Sequence, residues 1–324
     1  MSVHVVATGG TITSHLEDGV WRNVSARELF GELGGELAAL PVHEVAAGPS
    51  SNLSVDDMVR IAGHVDAAFA DGASGVVVVH GTDTMELTAY VTHLLRAGDG
   101  DGRPVVFTGS MRVHSHPDPD GPRNLRDAVA VADSSGVGGV VVCMNGEVHA
   151  APWVLKRSAA TVAAFHSFPS GPVATVVGGA PVLVGGDQPW PSVAGSRAIG
   201  FADDVGLVTC HPGMSADEVE RVADGRRGLV VEGFGDLNLP LEVWGAIASL
   251  ARRDLLVVVS SRVFTPTSLL DGLDLPGVVG AGGLSTHKAV LLARAALGST
   301  ADRDGAAAFV RSHALRHDPG EEAV

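Results

Sequence analysis

At 324 residues, 45% of them apolar and 18% charged, the chain is long enough for two domains with sizeable cores. Its formal net charge of −15 argues against nucleic acid as a partner, because phosphates call for a basic face. No apolar run reaches the roughly 20 uninterrupted residues of a membrane span. Only 4% of residues are aromatic, so the core is expected to rest on Val, Ala and Leu, as in strands buried on both faces. The start Met1-Ser2-Val3-His4-Val5-Val6 carries no basic segment; a secretory signal is not expected and a cytoplasmic location is. Cys143 and Cys210 lie in apolar, strand-like runs, which predicts buried free thiols rather than a disulfide.

Taken in chain order, apolar runs alternate with amphipathic segments. Strands are predicted at 3–8, 42–47, 75–80, 104–109 and 139–144, with helices at 25–40, 54–71, 84–98 and 122–134. Ser54 followed by Asp56 and Asp57 suits a helix start, since a hydroxyl and carboxylates satisfy free amides there. The rhythm is that of βαβ units and predicts a parallel sheet covered on both faces. Segment 178–204 is rich in Gly and Pro, cannot sustain a helix and reads as an interdomain linker. A shorter α/β series follows, with strands near 205–210, 228–232, 255–260 and 277–281 and helices near 215–224, 239–252 and 286–298. The expected fold class is therefore α/β: a larger N-terminal, parallel-rich, doubly wound sheet domain plus a smaller C-terminal α/β domain. The expected boundaries are 1–180, a linker at 181–204, and 205–324, with a mobile tail after Pro319.

Two glycine-framed threonine motifs carry most of the functional signal. Ala7-Thr8-Gly9-Gly10-Thr11-Ile12 follows the run Val3–Val6, and His80-Gly81-Thr82-Asp83-Thr84-Met85-Glu86 follows Gly75–Val79. Each sets a hydroxyl at the carboxyl end of an expected parallel strand, where open α/β sheets bind ligands. The glycines allow close backbone approach and offer amides to an oxyanion, although Gly9-Gly10 alone more often marks simply a tight βα turn. Neither motif is a dinucleotide fingerprint or a phosphate-binding loop, because the glycine spacing and the Gly-Lys-Ser/Thr run are missing. Asp83 at a helix start is suited to hold a substrate ammonium, and equally to act as an N-cap. Lys156 stands in the mixed segment Trp153-Val154-Leu155-Lys156-Arg157-Ser158; alone it reads as a solvated surface residue. As a base it would need desolvation or a nearby cation. His114, His116, Asp118 and Asp120 look superficially like a metal set, but their Pro-rich stretch lacks the spacing that focuses ligands, and metal is not expected.

Together these segments resemble the bacterial-type L-asparaginase family of two-domain threonine amidohydrolases. The resemblance rests on both threonine motifs, on Val106-Phe107-Thr108-Gly109-Ser110-Met111-Arg112, and on Asp120-Gly121-Pro122-Arg123-Asn124-Leu125. Gly233-Phe234-Gly235-Asp236-Leu237-Asn238-Leu239 and Ser260-Ser261-Arg262-Val263 extend it into the C-terminal half. It implies that Thr11 is the nucleophile that forms an acyl-enzyme. It also implies a second triad, Thr82, Asp83 and Lys156, with the lysine taking a proton through Thr82. Ser50 and Ser51 match the pair that binds the substrate α-carboxylate, and Asp83 the α-ammonium. Ser110 matches a small residue beside the leaving amide, and Asn238 one that reaches the site from a neighbouring subunit. The family implies no cofactor, an amino-acid amide as substrate, and a homo-oligomer, dimer or tetramer, with shared active sites; from composition and charge, neither a membrane nor nucleic acid is expected as a partner.

Two departures stand out. The family carries a tyrosine on the lid after the first motif, yet the single tyrosine here is Tyr90. The lid, Ser14–Asn23, offers His15, Trp21 and Arg22 instead. Long members also place a C-terminal glutamate near the substrate ammonium, whereas no glutamate occurs here between Glu242 and Glu321; Asp271 and Asp274 are partial stand-ins. The expected activity is hydrolysis of L-asparagine to L-aspartate and ammonia in asparagine catabolism. A broader asparaginase–glutaminase and a degenerate amino-acid-binding homologue are the alternatives. A tRNA-amidotransferase role is disfavoured, because no added RNA-binding domain or basic face is visible.

Overall fold

The computed structural model describes residues 2–17, 20–45, 48–96, 102–168, 170–184, 199–263 and 275–314. The chain separates into two compact units, Met1–Ser192 and Val193–Val324. The first opens with β1 (Val3–Ala7), β2 (Ser14–Glu17), β3 (Val20–Asn23), α1 (Ala26–Leu33) and β4 (Val42–Glu44). It continues through α2 (Val55–Ala70), β5 (Gly75–Val79), α3 (Met85–Arg96), β6 (Val105–Thr108), α4 (Gly121–Ala132) and β7 (Val140–Met144). It ends in β8 (Glu147–Ala150), β9 (Val154–Lys156), β10 (Phe165–Ser167), β11 (Ala174–Val177) and β12 (Ala180–Leu183).

An eight-stranded mixed sheet runs in the order β12-β11-β8-β7-β6-β5-β1-β4. Strands β4, β1, β5, β6 and β7 are mutually parallel, whereas β8, β11 and β12 add antiparallel pairs at one end. Successive side chains on a strand point to opposite faces, so the all-apolar strands are covered twice. Val6, Val76 and Val78 pack under α2 and α3 with Ile61, Val65, Phe69 and Met85. Val3, Val5, Val77 and Val79 pack under α1 and α4 with Leu29, Phe30, Leu125 and Val131. The sheet is doubly wound as predicted, and its antiparallel end is an addition that the sequence reading did not contain.

Several bounds shift for identifiable reasons. The helix predicted over 25–40 stops at Leu33, because Gly34 and Gly35 adopt φ of 69° and 59° and the chain continues as a 3-10 turn, Gly35–Ala39. The start of α2 is as expected: the Ser54 hydroxyl accepts from the Asp57 amide while Asp57 accepts from the Ser54 amide, a capping box. The predicted linker begins inside the sheet, since Ala180–Leu183 pairs with β11; its middle, 185–198, lies outside the described residues, as does the tail after Pro319.

The second unit holds β13 (Val205–Thr209), α5 (Ala216–Ala223), β14 (Gly228–Gly233), α6 (Leu241–Arg252), β15 (Leu256–Ser261), β16 (Val278–Gly280), α7 (Thr286–Ser299) and α8 (Arg303–His313). Its four strands form one parallel sheet, β13-β14-β15-β16. Helix α8 was not predicted. Cys143 and Cys210 are both buried free thiols, as expected. Among the described residues no helix is long and apolar enough to cross a membrane.

Candidate active site

Strands β1 and β5 are neighbours, but the chain leaves β1 toward α1 on one face of the sheet and leaves β5 toward α3 on the other. A crevice opens at the carboxyl ends of two strands whose connections diverge in this way. Thr11 follows β1 and Thr82 follows β5, so the two threonine motifs both stand at this switch point. Backbone contacts lock them together: the amide and the hydroxyl of Thr8 both donate to the Val79 carbonyl, at 2.9 and 3.1 Å. Gly10 has φ of 109°, and a Cβ added there would lie 2.6 Å from the Gly81 Cα. A Cβ on Gly81 would in turn lie 2.7 Å from the Ser50 Oγ. The glycines are thus required at the point where three segments meet, and the tight turn and the close approach are one feature.

Ser50 is buried and Ser51 exposed. Both lie in the 3-10 turn Ser50–Asn52, which is tied to the start of α3 by the Thr84 hydroxyl donating to the Ser50 carbonyl at 2.8 Å. Ser110, almost fully buried after β6, donates its hydroxyl to the Arg112 carbonyl. Its loop is braced by Asp120, whose carboxylate accepts from the Met111 and Arg112 amides at 3.0 and 2.9 Å. The Asn124 side chain donates to the Gly109 carbonyl at 2.9 Å and to Asp120 at 3.1 Å. The residues of the metal reading therefore have protein partners. Besides Asp120, Asp118 pairs with Arg112, His116 Nδ1 accepts from the Asp118 amide at 3.0 Å, and His114 lies 3.1 Å from the Glu32 carboxylate.

Lys156 is not a solvated surface residue: its side chain is only 17% exposed. It stands at the end of β9, which pairs with β10 outside the main sheet. Its Nζ lies 2.8 Å from the Thr82 Oγ1 and 2.7 Å from the Asp83 Oδ1. The Asp83 carboxylate is thus engaged with the lysine, while the Thr84 carbonyl accepts from the Leu87 and Thr88 amides to open α3. An ion pair this exposed on its acidic side adds little stability; its effect is to hold three polar groups at fixed separations.

Two further residues of the second motif do structural work that the sequence did not reveal. His80 is fully buried, and burial depresses its pKa to about 4, so the ring is neutral near pH 7. Its Nδ1 lies 2.7 Å from the Gly81 carbonyl; since a carbonyl only accepts, Nδ1 carries the proton. Glu86, in the first turn of α3, accepts the backbone N–H of Lys156. Its place in the motif was the only signal available, because its partner is 70 positions away.

The lid expected over Ser14–Asn23 is a β-hairpin, with His15 opposite Arg22 and Leu16 opposite Trp21. It is tied to the loop after β6: the His114 amide donates to the Ser14 carbonyl at 2.9 Å, and the Leu16 amide to the Ser115 hydroxyl at 3.0 Å. The His15 ring centroid lies 5.8 Å from that of His114, so His15 faces this loop. The side chain of Trp21 and all of Asp271 and Asp274 lie outside the described residues. Tyr90 is buried within α3. In the second unit, Asn238 is exposed and closes a tight turn, its Nδ2 donating to the Gly235 carbonyl at 2.6 Å, with Asp236 and Leu237 at φ of 45° and 63°.

The profile described as Asparaginase, N-terminal matches residues 2–186, and that of the Glutaminase/Asparaginase C-terminal domain matches residues 204–309. A probable L-asparaginase of Deinococcus radiodurans is 31% identical over 316 residues, covering 93% of this chain and 94% of the relative. A glutamyl-tRNA(Gln) amidotransferase subunit of Pyrobaculum aerophilum is 31% identical over 273 residues, covering 80% of this chain; the chain spans 65% of that relative's length. The crystal structure of a probable cytoplasmic L-asparaginase from Campylobacter jejuni superposes with a TM-score of 0.82 at 27% identity, covering 96% of this chain and 99% of the other. With more than half of its length matched by the N-terminal profile and most of the remainder by the C-terminal one, the chain belongs to the asparaginase family.

Proposed function

We propose that this protein hydrolyses L-asparagine to L-aspartate and ammonia through an acyl-enzyme on Thr11. The observation that carries the reading is the Lys156 Nζ held at 2.8 Å from Thr82 and 2.7 Å from Asp83, beside the Gly10–Gly81 contact that brings in the Thr11 segment. In the first half-reaction the Thr11 oxygen bonds to the side-chain amide carbon, the C–N bond breaks, and ammonia leaves with a proton that originates on Thr11. In the second, water adds to the β-aspartyl ester, its proton returns to Thr11, and aspartate departs. In this reading the Thr82 hydroxyl deprotonates the attacking water and passes its own proton to the Lys156 amine across their contact. Ser50, Ser51 and Asp83 bind the α-carboxylate and α-ammonium in this reading, and Ser110 lies beside the leaving amide.

The amidotransferase relative supports a second reading, amide hydrolysis in the service of an acceptor other than water. The likeness to the two asparaginase relatives runs over 93% and 96% of this chain, against 80% for the amidotransferase relative, and supports the free amino acid as substrate. Ammonia release from L-asparagine and from L-glutamine, each with and without Thr11→Val, tests the proposal. The expected result is asparagine turnover exceeding glutamine turnover, and a loss of about a thousandfold or more in the variant. Turnover by folded Thr11→Val above a tenth of the parent would remove Thr11 as nucleophile.

A further inference from the structure

We infer that Glu86 is a positioning residue for Lys156: its carboxylate replaces the missing strand partner of β9 and so sets where the lysine amine stands. The inference rests on the role proposed above for Lys156. The starting point is the strand itself. Backbone N–H groups along a strand alternate in direction. The Arg157 amide donates toward β10, to the Ala164 carbonyl at 2.7 Å, so the Lys156 amide points the other way. Among the described residues strand β9 pairs with β10 and with no other strand. The Lys156 amide therefore has no strand to donate to, although Val154 is fully buried and Leu155 nearly so. An amide left unsatisfied in such a place loses its water without gaining a partner and is costly. Glu86 supplies the acceptor.

Glutamate in the first turn of a helix ordinarily does no more than complement the helix dipole. Here it has a second property. Thr82, Asp83 and Glu86 stand within five residues at one strand exit, and all three bind one lysine, the first two at Nζ and the third at the backbone amide. Lysine has four rotatable side-chain bonds, so contacts at Nζ alone leave the strand free to shift while the amine stays tethered. Anchoring both ends on one short segment fixes the separation between Nζ and the Thr82 hydroxyl. A misplacement of about 1 Å at such a proton-transfer contact costs up to roughly a hundredfold in rate.

The test compares ammonia release from L-asparagine by the full-length protein and by Glu86→Gln, Glu86→Met, Glu86→Asp, Lys156→Met and the double variant Glu86→Met/Lys156→Met. Glutamine keeps an acceptor at the same reach, so kcat is expected within about threefold of the parent. Methionine keeps length without the acceptor, and kcat is expected to fall roughly 30- to 100-fold with KM changed less than about threefold. Aspartate withdraws the acceptor by one methylene and is expected to lose about tenfold. In the Lys156→Met background, Glu86→Met is expected to add less than about threefold, since nothing remains to be positioned. If Glu86→Met does not fold, the glutamine and aspartate variants decide: equal kcat in the two overturns the inference. It is also overturned if Glu86→Gln is as impaired as Glu86→Met, or if the methionine effect persists undiminished without Lys156. An active Lys156→Met removes the underlying role of the lysine and the inference with it. A dead Lys156→Met beside a fully active Glu86→Met removes the inference alone.

Discussion

Buried histidines set how this molecule responds to acid. His149 is 1% exposed on β8, its Nδ1 lies 3.0 Å from the Ser167 hydroxyl, and burial lowers its pKa to about 4. His80 is lowered to about the same value by burial. An unfolded histidine titrates near 6.5. Between pH 6.5 and 4 the unfolded chain therefore binds protons that the folded chain refuses, and stability present in full above pH 6.5 is lost as pH falls toward 4. Each residue contributes at most about 3 kcal/mol to that loss. Urea unfolding at pH 7, 5.5 and 4.5 is expected to show this decline. His149→Asn, which keeps a polar atom for Ser167, is expected to have a shallower slope by up to one proton; an unchanged slope would show that His149 does not carry the effect. At this scale the sequence named Thr11, Thr82, Asp83 and Lys156 as chemistry, yet by itself gave the lysine no reason to be inside. The reason is spatial: 73 positions separate Lys156 from Asp83, and only chain closure makes them neighbours. The same distance hid Glu86.

Elements converge on the site through backbone rather than side chains. The turn after β1, the 3-10 turn at Ser50 and the exit of β5 meet at Gly10 and Gly81, where added Cβ atoms would overlap backbone or Ser50. Gly81→Ala puts a methyl 2.7 Å from the Ser50 Oγ, an overpacking that costs about 1–3 kcal/mol. It is expected to lower Tm by several degrees and to raise KM for asparagine by about tenfold or more, because Ser50 must move. The contrasting substitution is Gly63→Ala, in the exposed face of α2, where a Cβ meets nothing within 4 Å. There stability is expected to hold or rise, by up to about 1 kcal/mol of helix propensity, with Tm not lowered and KM unchanged. Differential scanning calorimetry and steady-state kinetics on the pair check both; a silent Gly81→Ala would mean that the three segments have slack. Strands β5, β6, β7 and β15 were legible from their valine-rich apolar runs, because both faces of each are buried. Strands β8 to β12 were not: they are three or four residues long, too short for a period to register.

At the scale of the whole molecule the prediction concerns assembly. We propose, on the family resemblance, that Asn238 acts on the site of a neighbouring subunit and that the active unit is at least a dimer. Thr11→Val and Asn238→Ala are each expected to lose activity as separate preparations. Mixed under conditions that exchange subunits, they are expected to regain it, because a hybrid holds one site with an intact Thr11 from one chain and an intact Asn238 from the other. Absence of recovery in verified hybrids would place Asn238 in the service of its own chain, and a fully active monomer by light scattering would remove the shared site altogether.

The sequence alone determined the α/β class, the doubly wound parallel core and the two threonine motifs, since these are written in local patterns. Strand burial shows in consecutive apolar residues, and glycine-framed turns show in adjacent letters. Tertiary structure decided what the motifs touch. It turned an apparent surface lysine into the bridge between Thr82 and Asp83 and gave the backbone of β9 an acceptor in Glu86. It also converted the His114–Asp120 stretch from a set of possible ligands into the brace of the Ser110 loop and the anchor of the hairpin after Thr11. Each of these is a contact between segments distant in the chain, and an amino acid's neighbours in sequence carry no record of which distant group will meet it when the sheet closes.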